Sequence, residues 1–415
     1  MQERETMATT RQDPSPEAAQ ETTEEPLYEH VDFHMGPQHP STHGVLHVEL
    51  TVDGETVVDC RPSIGFLHTG MEKLAESKLY YQVTPITDRM DYLSPMTNNM
   101  AWCLSVEKLL GIEVPPRAQI VRVLLAELSR LNSHLIWTGT NGLDIGALSM
   151  VMYGFRERDM ILEMFDEVAG QRMNPSYMTP GGIWCDINED TFIPKVRDFL
   201  KVFPSRLADY HRLLTKNPIW RARMKGVGIL DAEQCERYSV TGPMLRAAGV
   251  DYDVRKKEPY SSYEQFEFDV PVRDGCDCYD RYLNRMDEMA ESVRICKQAV
   301  DNMPSGRWIT EDRRVALPPR DTLHRDMHAL IHHFWIVSNG YCPPKGQAYV
   351  PTESPKGEIG FLVVSDGTNK PLRMRVRPPS LINLQVLPEM VKGRLIADVV
   401  ACIASTDIVL GEVDR

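Results

Sequence analysis

Two imidazoles, His39 and His43, stand four residues apart in the run Gly36-Pro37-Gln38-His39-Pro40-Ser41-Thr42-His43-Gly44. Proline fixes φ and removes a donor, and glycine permits backbone shapes closed to other residues, so this run is a stiff loop rather than a helix. Imidazoles titrate near neutral pH and can donate protons or ligate metals. A zinc site needs a third and a fourth ligand. His34, His47 and His68 are available, but no spacing in the sequence selects them, and the residues read as unmetallated histidines. Cys276-Asp277-Cys278 is the one close cysteine pair, too few thiolates for an iron–sulfur cluster. His324, His328 and His332 repeat every four residues on an expected helix without an accompanying carboxylate or thiol. They read as a stripe facing solvent or an interface. No Gly-x-Gly-x-x-Gly, P-loop or Gly-x-Ser-x-Gly motif is present, which leaves nucleotide binding and serine hydrolysis without a signature.

A polar set remains at three breaks between elements: His43, the run Asp88-Arg89-Met90-Asp91-Tyr92, and Asp144. Functional side chains favour such positions. A phenol and an imidazole N–H can both donate to a carbonyl oxygen, and a carboxylate beside an imidazole fixes its tautomer and favours its charged form. Ordinary capping and ion pairing also account for Asp88, Arg89 and Asp144.

The elements that must position these groups follow from periodicity. Residues 1–26 are polar and acidic with almost nothing apolar, the composition of a disordered tail, and lack the apolar centre of a signal peptide. Residues 27–415 then form one folded unit. Leu27 to Phe33 is expected as a short strand. Val45 to Val52 alternates as a strand, Asp53-Gly54 turns, and Thr56 to Cys60 returns. A helix opens at Met71 and ends near Pro85; another spans Ala101 to Leu110. Pro115-Pro116 starts the strongest helix, with Ile120, Val123, Leu124, Leu128, Leu131 and Leu135 on one stripe, and Thr138 to Gly142 is expected to break it. Further helices are expected over 147–168, 192–214, 276–302, 322–338 and 383–405, with Arg281, Arg285 and Arg294 on the polar side of the 276–302 helix. Strands are expected over 347–352, 357–364 and 372–377. The fold class is α+β: a helical-bundle core with small N-terminal and C-terminal β pieces.

Composition sets outer bounds. The chain has 415 residues and a net charge of −13, which argues against a nucleic-acid partner. No apolar run approaches the roughly 18 residues needed to span a bilayer, so a membrane would be reached through partners. Nine scattered cysteines suit a reducing compartment.

Several long blocks carry a resemblance. The His39/His43 loop, Gly65-Phe66-Leu67-His68-Thr69-Gly70-Met71-Glu72-Lys73, Asp88 to Tyr92, Glu107 to Gly111, Phe155 to Arg158, Tyr252 to Lys256, Pro351 to Ser354 and the terminal Gly411-Glu412-Val413-Asp414-Arg415 resemble the D-subunit family of NADH–quinone oxidoreductase, respiratory complex I. The resemblance runs from about residue 28 to 415. It implies a nickel–iron hydrogenase large-subunit-like fold and an oxidoreductase subunit on the cytoplasmic side of the cell inner membrane. Its implied partners are the B and C subunits of the peripheral arm and the membrane-embedded H subunit, with NAD(H) bound elsewhere in the complex. A hydrogenase would need Cys pairs near Arg89-Met90-Asp91-Tyr92 and near Thr406-Asp407-Ile408-Val409. Neither place has one, so no metal is expected in this chain. The cavity would take a quinone headgroup. By resemblance His39, His43 and Tyr92 face the quinone, Asp144 partners His43, and His43, Tyr92 and Asp144 carry the chemistry coupled to proton translocation. Arg89 and residue 174 would lie near a terminal [4Fe-4S] cluster held by the B subunit. Many relatives have His at the latter position where this chain has Asn174, which cannot titrate. The rival readings are a hydrogenase, a quinone reductase with another electron donor, and a scaffold without catalytic residues.

Overall fold

The computed structural model describes residues 30–415. The expected tail and the start of the first strand lie outside the described residues.

The centre is α4, Pro116–Asp144, with proline at its first position, where a missing N–H costs nothing. Its leucine and isoleucine stripe is buried, but so are Arg117, Arg122, Glu127 and Arg130. It packs on α5 (Ser149–Ala169) and α11 (Cys278–Asp301). The expected break at Thr138–Gly142 does not occur. Glycines there let helices approach: a Cβ on Gly139 would lie 3.2 Å from Val151 Cα, and one on Gly142 2.9 Å from Met150 Cβ. Gly154 of α5 abuts the Leu135 carbonyl in the same seam. Glycine here marks a close contact instead of a stop.

The N-terminal sheet runs in order β1 (Val31–Met35), β2 (His47–Asp53), β3 (Thr56–Ser63), all antiparallel. Met35, Val48, Leu50, Val52, Val57 and Cys60 bury one face, and polar residues line the other. The expected 71–85 helix is two: α1 (Met71–Ala75) and α2 (Tyr80–Thr87), which passes through Pro85. α3 (Pro95–Leu110) starts six residues before the expected Ala101. Its first turn is polar yet buried, because Asn98 Nδ2 donates to the Thr87 carbonyl at 3.1 Å and Asn99 donates to the Asp88 carboxylate.

After α5 come the two-residue strands β4 (Met178–Thr179) and β5 (Gly182–Ile183), then α6 (Glu189–Tyr210). The loop-rich stretch holds short helices α7 (Pro218–Met224), α8 (Ala232–Arg237), α9 (Pro243–Arg246) and α10 (Val254–Lys257). On α11, Arg281 and Arg285 are buried, not on a polar face. Arg281 donates to the Ser405 hydroxyl and the Gly228 carbonyl, and the Arg285 guanidinium stacks 4.3 Å from the Trp137 ring. α12 is Met327–Asn339, so His324 precedes it and the three-histidine stripe is not on one helix.

The second three-stranded sheet, β6 (Gly346–Ser354), β7 (Gly357–Ser365) and β8 (Arg373–Arg377), packs on α3. The expected 383–405 helix is three: α13 (Pro379–Gln385), α14 (Leu387–Val391) and α15 (Ile396–Thr406). The break at Lys392-Gly393-Arg394 pairs with β3: Gly393 N–H donates to the Val57 carbonyl and Val57 N–H to the Arg394 carbonyl, both at 2.8 Å. The chain closes with α16 (Leu410–Asp414), which is buried. The architecture is α+β with a helical core between two small sheets, as the periodicity predicts. No helix among the described residues is long and apolar enough to cross a membrane.

Candidate functional site

The His loop is wound tightly enough to aim one imidazole. His39 Nδ1 accepts the Ser41 N–H at 3.2 Å, Thr42 Oγ1 donates to the His39 carbonyl at 2.8 Å, and Pro40–Thr42 form one 3-10 turn. His43 follows with φ of 52°, a left-handed conformation uncommon outside glycine. That turn directs its Nε2–H to Asp144 Oδ2 at 2.7 Å, across 101 residues of sequence. The pair is nearly buried, with side chains 16% and 6% exposed. Asp144 is the last residue of α4, where the helix dipole is already negative, so the imidazole faces concentrated negative potential. His39 stays exposed on the outer side.

The turn after α2 divides its side chains. Asp88 and Asp91 point inward and are fully buried, Arg89 is exposed, and Tyr92 is half-buried. Asp88 accepts from Ser176 Oγ and Asn99 Nδ2, yet burial pushes its carboxyl up to about 6. The Arg89 guanidinium folds back onto the Pro85 carbonyl. Burial, with Asp91 beside it, raises the Tyr92 phenol above its ordinary value. Asn174 sits two residues from Ser176, in a left-handed conformation with its Oδ1 unpartnered among the described residues.

The C-terminal segment joins loop and turn. A Cβ on Gly44 would touch Leu410 at 3.2 Å, and a Cβ on Gly411 would fall 2.7 Å from the Met90 carbonyl and 2.8 Å from that of Arg89. The Asp414 carboxylate accepts the N–H groups of Gly65 and Leu67 at 2.9 and 2.7 Å, and His68 Nδ1 donates to the Asp414 carbonyl at 2.6 Å. His43, the Asp88–Tyr92 turn and the 65–68 loop are thus bound to one short helix. Around them Ile64, Phe66, Leu67, Leu143, Leu148 and Met152 are exposed. Two clefts among the described residues lie elsewhere, one along Phe203, Leu207 and Val293, another along Lys108, Gly111 and Tyr260. The His43–Asp144 pair lies at a rim where only His43 keeps appreciable exposure, 16% against 6% for Asp144.

Behind the rim is a charge cluster that sequence reasoning missed. Lys356 Nζ lies 3.2 Å from Asp91 Oδ2 and 3.9 Å from Asp407 Oδ2, and donates to Ser133 Oγ at 2.7 Å. Asp407 Oδ2 is also 3.7 Å from Arg285 Nε. Glu412 accepts from the Ser380 hydroxyl, and burial together with Asp91 pushes its carboxyl up to about 8. Asp91 and Asp407 fall within the two runs where a hydrogenase would need Cys pairs. Here one ammonium stands between those two runs. A lysine after a β-turn proline ordinarily points to solvent, so no local signal marks Lys356.

The family model described as "Respiratory-chain NADH dehydrogenase, 49 Kd subunit" matches residues 144–415. Among curated proteins, the chain is 49% identical to the NADH-quinone oxidoreductase D subunit of Geotalea uraniireducens over 93% of this chain and 98% of that one. It is 52% identical to the NADH-quinone oxidoreductase D subunit numbered 1 of Solibacter usitatus, covering 92% and 93%. It is 52% identical to the NADH-quinone oxidoreductase D subunit numbered 2 of Chloroflexus aurantiacus, covering 92% and 94%.

Proposed function

The chain belongs to the 49 kDa subunit family of the respiratory-chain NADH dehydrogenase, an α+β family with the nickel–iron hydrogenase large-subunit fold, and from that premise we propose that its His43 rim is where quinone is reduced. The protein is then the D subunit of a proton-pumping NADH–quinone oxidoreductase. The observation that carries this reading is the 2.7 Å His43–Asp144 pair held beside the Tyr92 turn by one C-terminal helix.

Two-electron reduction builds negative charge on the quinone oxygens. Donors fixed in advance at those oxygens stabilise that charge and can each deliver a proton. His43 and Tyr92 are those donors. Asp144 accepts the His43 Nε2–H, so the proton passed to the quinone is the Nδ1–H of the imidazolium, and its departure leaves the Asp144 carboxylate without an opposing charge, which is the local event that signals to the membrane arm. His39 caps the loop at the outer edge of the headgroup site. The B subunit closes the open rim and brings its terminal [4Fe-4S] cluster toward Arg89 and Asn174. A fixed guanidinium charge there would raise the cluster potential, and Asn174 gives that potential no titrating partner. The exposed apolar margin at Ile64, Phe66, Leu67 and Leu148 suits the lipid tail of the acceptor. The complex lies on the cytoplasmic side of the inner membrane, with the C and H subunits as further neighbours and NAD(H) bound on another subunit.

Tyr92→Phe and His43→Ala, introduced into the assembled complex, are expected to lower quinone reduction about 100-fold while NADH–ferricyanide reduction persists. Full quinone reduction in both variants would end the assignment.

A further inference from the structure

β1 and β2 close the base of the loop that carries His43. On their polar face they gather three metal-ligating side chains that sequence spacing alone does not select. His34 and Glu49 are partners across the β1–β2 ladder, and His47 lies two residues along β2 on the same face. His34 Nδ1 and His47 Nε2 are 3.2 Å apart, with rings inclined by only 13°. The contact is a ring-to-ring hydrogen bond, and its length is close to the spacing of about 3.3 Å between two nitrogens bound at about 2.05 Å to a tetrahedral centre, so a zinc ion that displaces the shared proton would find one edge of its tetrahedron at the right length. Glu49 Oε1 is 3.9 Å from His47 Nδ1, the ring nitrogen that does not face His34, and one ligand atom from each of the three residues lies within 4.8 Å of the other two. Glu49 is half exposed, so a side-chain rotation can bring its carboxylate in, and water can fill the fourth position. Phe66 packs edge-on against His47 and shields one side. Arg61 stands opposite Glu49 on β3, but its guanidinium pairs with Asp59 at 3.0 Å.

We infer that His34, His47 and Glu49 form a binding site for one borderline divalent transition metal of the Zn2+ class, and that its occupancy clamps the loop carrying His43. Two imidazoles and one carboxylate favour Zn2+, Cu2+ or Ni2+ over Mg2+ or Ca2+, which prefer all-oxygen sites. The clamp follows from position. His34 precedes the loop and His47 follows it, so a shared metal ties its two ends. Between them the backbone has no slack, since a Cβ on Gly36 would fall 2.0 Å from the Leu46 carbonyl oxygen.

The test uses the whole complex, stripped with chelator and equilibrated with Zn2+ in excess Mg2+. Bound zinc is counted in the wild type and in the His34→Ala and His47→Ala variants, whose side chains lie on the polar face of the sheet. One zinc fewer in each variant supports the site; equal counts in all three overturn it. Displacement of that zinc by Mg2+ would overturn the metal class. Quinone reduction supplies a second readout. Zn2+ should inhibit the wild type over the range in which this site fills, and the His47→Ala variant should need at least about tenfold more. Unchanged inhibition in that variant would overturn the clamp.

Discussion

His43–Asp144 and Asp91–Lys356–Asp407 are built from the same materials, a nitrogen cation-former against carboxylates, and they lie on two sides of one turn. They differ in access. In the first the imidazole keeps 16% of its side-chain surface exposed, although the Asp144 carboxylate keeps only 6%. The second is sealed: Asp91 and Lys356 have no exposed surface and Asp407 is 6% exposed. A sealed ion pair cannot exchange partners, and its members cost several kcal/mol each to desolvate. Where one partner keeps some exposure, as His43 does, water can replace part of a lost interaction. The rim is suited to move protons, and the sealed cluster to hold shape and potential behind it.

The sharpest way to break this contrast is Lys356→Met. It strands Asp91 and Asp407 without their ammonium, and removing one partner of a buried pair costs about 3–5 kcal/mol. The protein should fail to assemble or should melt far below the wild type, and adding Asp91→Asn should recover part of the loss. A wild-type melting curve in Lys356→Met would show that the cluster is not structural. Asp144→Asn should do the opposite. Stability should fall by less than in Lys356→Met, since the His43 imidazole keeps 16% exposure, while quinone reduction falls about tenfold or more because His43 loses its orienting carboxylate. A variant that loses stability and keeps its rate would place Asp144 with the sealed cluster.

The same division decides what can be read from the residues alone. The stripe of α4, both small sheets and the hairpin at Asp53-Gly54 follow from local periodicity, and the structure has them. His43, Tyr92 and Asp144 stand out in the sequence because each sits at an apparent break, and the structure joins His43 to Asp144. The break before Asp144 is false, since Gly139 and Gly142 serve the seam with α5. The buried cations escape sequence reasoning for one reason. Arg281, Arg285 and Lys356 obey partners that are distant in sequence, among them Asp91, Asp407 and Ser405, and no local pattern announces a partner 265 residues away, as with Lys356 and Asp91. Their charges read as surface because charge usually is surface. His34 and His47 escape it for the same cause: only strand register sets them side by side.

The smallest expected effect is also the finest probe of the sealed side. Glu412 is buried beside Ser380, with Asp91 and Lys356 near it, and its carboxyl is held up to about 8 against an ordinary value of 4.5. Burial and the Asp91 charge both oppose its ionisation, and they outweigh the Ser380 hydroxyl and the Lys356 ammonium. Between pH 4.5 and about 8 the folded chain therefore keeps a proton that the unfolded chain has lost. Stability from this group is fully present below pH 4.5 and declines as pH rises toward 8. Glu412→Gln keeps an acceptor for Ser380 and removes the titration. Melting temperatures of the two complexes across pH 5 to 9 should diverge, with the variant gaining on the wild type up to about pH 8 and running parallel above it. Parallel curves throughout would mean that Glu412 is already ionised, that Lys356 serves three carboxylates at once, and that the sealed cluster carries a net negative charge directly behind Tyr92, where it would oppose the negative charge that quinone reduction builds.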